Sequence, residues 1–263
     1  MQIDLGGDAR KTCRACGMEY VPSSMEDTSL HKEYCGMNLA GIELGKTFVK
    51  DDTLREIRFG RILRSATHRT VSVDRRSSAI VKSKVKDILH VVNTELSAAD
   101  IDEEALWREP SEIIVGNRPG HKRKGTPSQN EVPYDRFKAF LHISGDRCIG
   151  ICLAEKINQA FTVCESGFED EEKPGELVSS SVSHTRSAQL SLLGISRIWV
   201  SKAFRERGIA KSLLEAAQHN YFYGIQVPRN LIAFSQPTES GKQLAKRFFG
   251  AKDDWHVYTS QTC

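Results

Sequence analysis

The chain has 263 residues, enough for one domain of ordinary size and a small module, and its apolar fraction of 39 % can fill a core. A net charge of +3 is too mild for a nucleic-acid coat, and no apolar run approaches the roughly 20 residues that span a bilayer. Seven unevenly scattered cysteines fit a reducing compartment better than a disulfide framework, and MQIDLGGDARKT lacks the basic-then-apolar order of a secretory signal, so the expected chain is soluble and intracellular.

Residues 1–10 read as a flexible tail. Residues 11–37 hold the first cluster that carries chemistry. CRACGMEYVPSSMEDTSLHKEYC spaces Cys13-x2-Cys16-x14-His31-x3-Cys35, a knuckle pair followed by two ligands one helical turn apart, which suits tetrahedral zinc. Ser23 or Ser24 followed by Glu26 or Asp27 is a helix-start signal, placing His31 and Cys35 on one helical face. Four protein ligands close the coordination shell, so the zinc is expected to be structural. Between Cys13 and Cys35, Arg14 and Lys32 stand against Glu19, Glu26, Asp27 and Glu33, a net −2. Such a surface repels phosphates, and SSMEDTSLHKEY lacks the Arg, Asn and Gln that read bases, which argues against direct DNA binding and for protein docking or support of the neighbouring domain.

Residues 38–78 are a connector, in which GRILRSATHRTVSVDRR alternates enough for short strands. A single domain is expected over 79–263. It opens on KSKVKDILHVVNTELS, where Val85, Ile88, Leu89, Val92 and Leu96 form one helical stripe. A Gly-, Pro- and base-rich loop follows between Glu109 and Pro133, with KRK at 122–124 as a weak nuclear-import signal. FKAFLHI and CIGICLAEKI around Gly145–Asp146 predict a hairpin. Residues 165–190, acidic and then serine-rich, read as a mobile insertion. GISRIWV is then a buried strand, 208–223 a helix ended by Gly224 and Pro228, NLIAFS a strand, SGKQLAKRFF a helix and WHVYT a closing strand.

RERGIAKSLLEAA, residues 205–217, sets two arginines and Gly208 at the mouth of the 208–223 helix, whose buried stripe is Ile209, Leu213, Leu214, Ala217 and Phe222. A helix start leaves N–H groups unpaired and favours an anion, and a glycine there lets a phosphate reach the main chain. Neither a dinucleotide fingerprint nor a P-loop is present. The stretch resembles motif A of the GNAT acyltransferases, [QR]-x-x-G-x-[GA], with Arg205, Gly208 and Ala210 at its three positions. The resemblance narrows with Ile195–Val200, R-x-x-GIA, FSQPT and the cysteine/histidine cluster, which together resemble the cohesin acetyltransferases.

That resemblance implies an α/β (α+β) GNAT fold with a mixed central sheet behind a small zinc finger. It also implies an acetyl-CoA-dependent lysine N-acetyltransferase of the nucleus, acting on the SMC ATPase head of cohesin to establish sister-chromatid cohesion during replication. Ile198, Trp199, Val200, Arg205, Arg207, Gly208, Ile209 and Ala210 would bind the cosubstrate, and a backbone N–H near Trp199–Ser201 would receive the oxyanion. A lysine amine, with a solution pKa of about 10.4, must shed a proton before attack. Relatives in vertebrates have Asp where this chain has Gln236, which cannot ionise, so the base falls to Glu239 or Glu215, with Ser196 and Ser235 orienting the lysine. Glu239 ranks slightly ahead. Relatives have Tyr at Phe248, which has no hydroxyl to protonate a leaving thiolate, and His at Cys35. Gln2-x-x-Leu5 begins like a sliding-clamp peptide but lacks its aromatic pair. Two other readings stay open: a GNAT enzyme for another amine, and a binding module with weak or no catalysis, which Gln236 and Phe248 favour and the intact loop opposes.

Overall fold

A computed structural model describes residues 10–57, 68–108, 135–163, 184–250 and 255–259. The Gln2–Leu5 peptide, the KRK loop and most of the acidic insertion lie outside these residues.

Strands β1 (Lys11–Thr12) and β2 (Glu19–Tyr20) form a small antiparallel ribbon, followed by helix α1 (Met25–Ala40). The helix begins where its cap permits: the Ser24 hydroxyl accepts the Asp27 N–H, and the Asp27 carboxylate accepts the Val21 N–H at 3.0 Å. The connector supplies β3 (Ile42–Glu43), α2 (Lys46–Val49), β4 (Arg55–Ile57) and β5 (His68–Val73). Helices α3 (Ala79–Leu96) and α4 (Glu103–Trp107) follow, then β6 (Phe137–Ser144), β7 (Arg147–Lys156), β8 (Gln159–Val163), β9 (His184–Leu190) and β10 (Leu193–Val200). Helix α5 (Ile209–Asn220), β11 (Ile232–Ser235), α6 (Glu239–Phe249) and β12 (Trp255–Tyr258) complete the chain.

Helix α3 starts at Ala79, three residues before the quoted stretch, because the Ser78 hydroxyl caps the Val81 N–H. The 208–223 helix ends at Asn220, and Tyr221–Gly224 turn, with Gly224 at a φ of +73°. Residues 184–190, read as part of a mobile insertion, are instead an edge strand hydrogen-bonded to β8. Their polar composition suits an edge, where one side of the ladder faces no strand.

Ten strands make one mixed sheet in the order β4-β5-β6-β7-β10-β11-β12-β8-β9, with β3 also on β7. Helices α5 and α6 cover one apolar core, built on Leu213, Leu214, Phe234 and Phe248; α3 covers the other, built on Val85, Ile88, Leu141 and Leu153. At the centre the sheet is incomplete. Strand β10 pairs with β7 from Leu193 to Val200, yet with β11 only over Leu193–Ile195. A bulge at Ser196 breaks the register, and beyond it the two parallel strands part into a wedge. Among the described residues, no helix is long and apolar enough to cross a membrane.

Candidate active site and metal centre

The wedge opens towards the ends of β10 and β11, beside the residues expected to meet the cosubstrate. The Ser201 N–H donates to Ile149 O on β7 at 2.9 Å, so alternation along the strand turns the Ile198 and Val200 N–H groups the other way, into the opening. Ser201 is thereby excluded as an oxyanion donor. Trp199 is 3 % exposed and packs in the core under α3.

From Ser201 a short 3-10 turn leads into the loop that opens α5. Glu206 (φ +63°) and Gly208 (φ +80°) both take left-handed conformations, which only the glycine adopts without strain. Two such residues on either side of Arg207 curl the backbone, no side chain caps α5, and the Ser212 N–H donates to Gly208 O at 3.0 Å. The N–H groups of Ile209, Ala210 and Lys211 therefore face a concave mouth with the positive end of the helix dipole behind them, which suits a phosphate. Arg207 lies 5.3 Å over the Phe204 ring, exposed at that mouth. Arg205 turns away from it: Nε donates to Val200 O at 3.0 Å and Nη2 stands 3.9 Å from Glu95. The motif arginine shapes the loop and has one face towards the protein.

At the apex of the wedge, the Ser235 hydroxyl donates to Ser196 O at 2.7 Å, tying the last residue of β11 to the bulge. Arg197 Nη1 donates to the same carbonyl at 2.8 Å, and its Nε donates to Asn93 on α3. Behind Ser196, the Tyr258 hydroxyl donates to Glu155 at 3.1 Å, and Arg136 pairs with that carboxylate at 3.0 Å. Burial, then the Glu155 charge, pushes the Tyr258 phenol well above its usual range. Nothing local in the sequence announces this network, because its members lie on β7, β10, β11 and β12, with Asn93 on α3 and Arg136 just before β6.

The candidate bases differ in setting. Gln236 is exposed just past β11. Glu239, in the first turn of α6, is 75 % exposed and 3.4 Å from Lys242. Glu215, in the second turn of α5, is 21 % exposed and 4.0 Å from Lys211. Phe248 is a core residue, buried under the Arg229 guanidinium and against Phe249.

Cys13, Cys16, His31 and Cys35 converge, with their ligand atoms all within 4.8 Å of one another. The His31 Nε2 atom is buried with no hydrogen-bond partner, and its ring stacks on Tyr20 at 4.0 Å. An orphaned imidazole nitrogen among three sulfurs is the donor set tetrahedral zinc requires. Backbone N–H groups of Cys16 and Ala15 bring the Cys13 thiol down to about 6, while desolvation and the neighbouring thiols raise Cys35 to about 11. Crowded thiols that cannot ionise together are what a dication would relieve.

Fold and site together define a GNAT-type N-acetyltransferase carrying a zinc finger. Family models match on both parts: the zinc-finger of acetyl-transferase ESCO over residues 1–37 and the ESCO1/2 acetyl-transferase over 190–258. The N-acetyltransferase ECO1 of Debaryomyces hansenii is 31 % identical over 91 % of this chain and 77 % of its own length. The chain belongs to the Eco1/ESCO family of N-acetyltransferases. The N-acetyltransferase eso1 of Schizosaccharomyces pombe is also 31 % identical, over 93 % of this chain, which spans only 24 % of that longer protein. Among solved structures, an xEco2 acetyltransferase domain bound to a CoA conjugate aligns with a TM-score of 0.56 and 21 % identity, over 79 % of this chain and 98 % of that one.

Proposed function

We propose that this protein transfers the acetyl group of acetyl-CoA to lysine amines on the SMC ATPase head of cohesin, in the nucleus, during replication. The observation that carries the reading is the uncapped start of α5, curled by Glu206 and Gly208, at the mouth of the β10/β11 wedge. A diphosphate fits the first feature and a thioester arm the second. The Ile198 and Val200 N–H groups face the wedge, where the thioester oxygen gains charge as the amine attacks. The family membership and the CoA conjugate held by the xEco2 domain support the same cosubstrate.

Before attack, the lysine ammonium loses a proton to Glu215 or Glu239, directly or through water, while Ser196 and Ser235 orient the amine. Cys13, Cys16, His31 and Cys35 would hold zinc, which would supply a structural junction and no chemistry.

Mass spectrometry of a purified cohesin head incubated with the protein and acetyl-CoA should find acetylated lysines; an unmodified head would refute the substrate. Gly208→Asp puts a side chain and a negative charge at the helix start, so calorimetry should find CoA binding nearly abolished. Glu215→Gln and Glu239→Gln separate the two bases. Loss of the true base should slow single turnovers by about 10²–10⁴ at neutral pH and recover towards alkaline pH. If both variants keep the wild-type pH profile, solvent takes the proton.

A further inference from the structure

The finger is not a remote module. Ala15 of the finger, and Asn38 just past it on the helix that carries His31 and Cys35, press on the loop that opens α5. Ala15 lies between Cys13 and Cys16, and its carbonyl accepts Lys202 Nζ. Asn38 lies three residues beyond Cys35 on α1, and its carbonyl accepts the Ser201 hydroxyl at 2.7 Å. Ser201 is fully buried, and Lys202 opens the turn that delivers Arg205, Glu206 and Gly208.

Beneath these contacts sits Glu95, near the end of α3, with its side chain 8 % exposed. One oxygen accepts Asn38 Nδ2 at 3.0 Å, from the finger helix. The other accepts Trp199 Nε1 at 2.6 Å, from the open strand, and faces Arg205 at 3.9 Å. Donors from three elements converge on this buried carboxylate, and removing one leaves a polar group that must find another partner. It therefore links three elements: the metal-anchored helix, the strand whose N–H groups face the wedge, and the arginine that curls the phosphate loop.

We propose that Glu95 is a positioning residue that couples metal occupancy of the finger to CoA affinity, so that finger and cosubstrate loop order as one unit. The inference rests on the cosubstrate reading above. Two ligands coupled through a shared structure affect each other by the same factor, and such factors commonly run from about 5- to 150-fold. Zinc and CoA are expected to strengthen each other's binding about tenfold.

The test measures zinc, not turnover. A chromogenic chelator competes for zinc in the full chain, with and without saturating CoA, and calorimetry checks that the wild-type protein binds CoA. CoA should make zinc about tenfold harder to strip. In Glu95→Gln, isosteric and verified folded by circular dichroism, the protection should fall below about twofold. Asn38→Ala, which cuts only the finger's side-chain link to Glu95, should also reduce it and keeps the idea testable if the buried Gln is not tolerated. Wild-type protein that binds CoA with no protection of its zinc overturns the coupling, and full protection in both variants overturns the role of Glu95. Wild-type protein that binds no CoA overturns the cosubstrate reading, and the coupling with it.

Discussion

Gly194 shows how narrowly a single position can be set. It lies opposite Glu155 in the β10/β7 ladder, and the Tyr258 ring crosses over it to reach that carboxylate. A β-carbon there would stand 2.5 Å from the ring. Gly194→Ala should therefore displace Tyr258 and lower stability by about 1–3 kcal/mol, read by denaturant unfolding. His142 sets a different constraint. Burial, with a smaller contribution from the His68 charge, lowers its value from near 6.5 to about 4. Below pH 6.5 the unfolded chain gains a proton there that the folded chain refuses, so stability falls as the pH drops from about 6.5 to 4 and changes no further from this group below that. Each pH unit of the gap is worth about 1.4 kcal/mol, which makes the loss about 3 kcal/mol. His142→Gln should flatten that part of the curve in urea melts taken across the window. Single residues were legible when their partners were local. The ligand spacing Cys13, Cys16, His31 and Cys35 carries its own geometry, whereas Glu95 meets Trp199 across 104 residues and nothing near it in the sequence announces the bond.

Among elements, helices with a continuous apolar stripe were the plainest. Ile209, Leu213, Leu214 and Ala217 are buried on α5, while Phe222, expected on the same stripe, is buried in the turn after the helix; the α3 stripe is buried but for the half-covered Leu96. The turn at Gly145–Asp146 does join β6 to β7. β8 and β9 were missed because short strands at the far edge of a sheet carry a weaker alternation, and β9 follows acidic residues that suggest a solvated loop. The bulge at Ser196 was invisible too: GISRIWV reads as a regular strand, and only its neighbours reveal that half of it lacks a partner on one side. That half has a measurable signature. The Ile198 and Val200 amides should exchange with solvent far faster than the paired Ser201 amide, and CoA should slow the first two while leaving the third unchanged. Residue-resolved hydrogen exchange checks it; equal protection at all three would mean the wedge is closed in solution.

For the whole molecule, the contacts of the finger bear on the stability of the sheet beside it. An independent small module would leave a truncated catalytic domain unharmed. Here, deleting residues 1–40 would strip Glu95 of the Asn38 donor and Ser201 of its acceptor. A lost hydrogen bond to a charged group costs about 1.5–3 kcal/mol. At about 2–4 °C per kcal/mol for a chain of this size, the melting temperature should fall by roughly 5 °C or more in a scanning calorimeter. An unchanged melting temperature would show the finger to be energetically separate. The protein docking or support role read from its acidic surface thus has a partner within the same chain.

The part-open seam between β10 and β11 also governs how the chain can be divided. On one side of it lie β4, β5, β6, β7 and β10; on the other lie β11, β12, β8 and β9. The backbone passes from the first group to the second after β7, returns before β10, and leaves again through α5. It crosses the line three times, like a lace through two flaps. No single cut yields two contiguous fragments that correspond to the two halves of the sheet, so neither half can be inherited, swapped or expressed as a piece without the other. The gap that admits a ligand is laced shut by the order in which the strands are made.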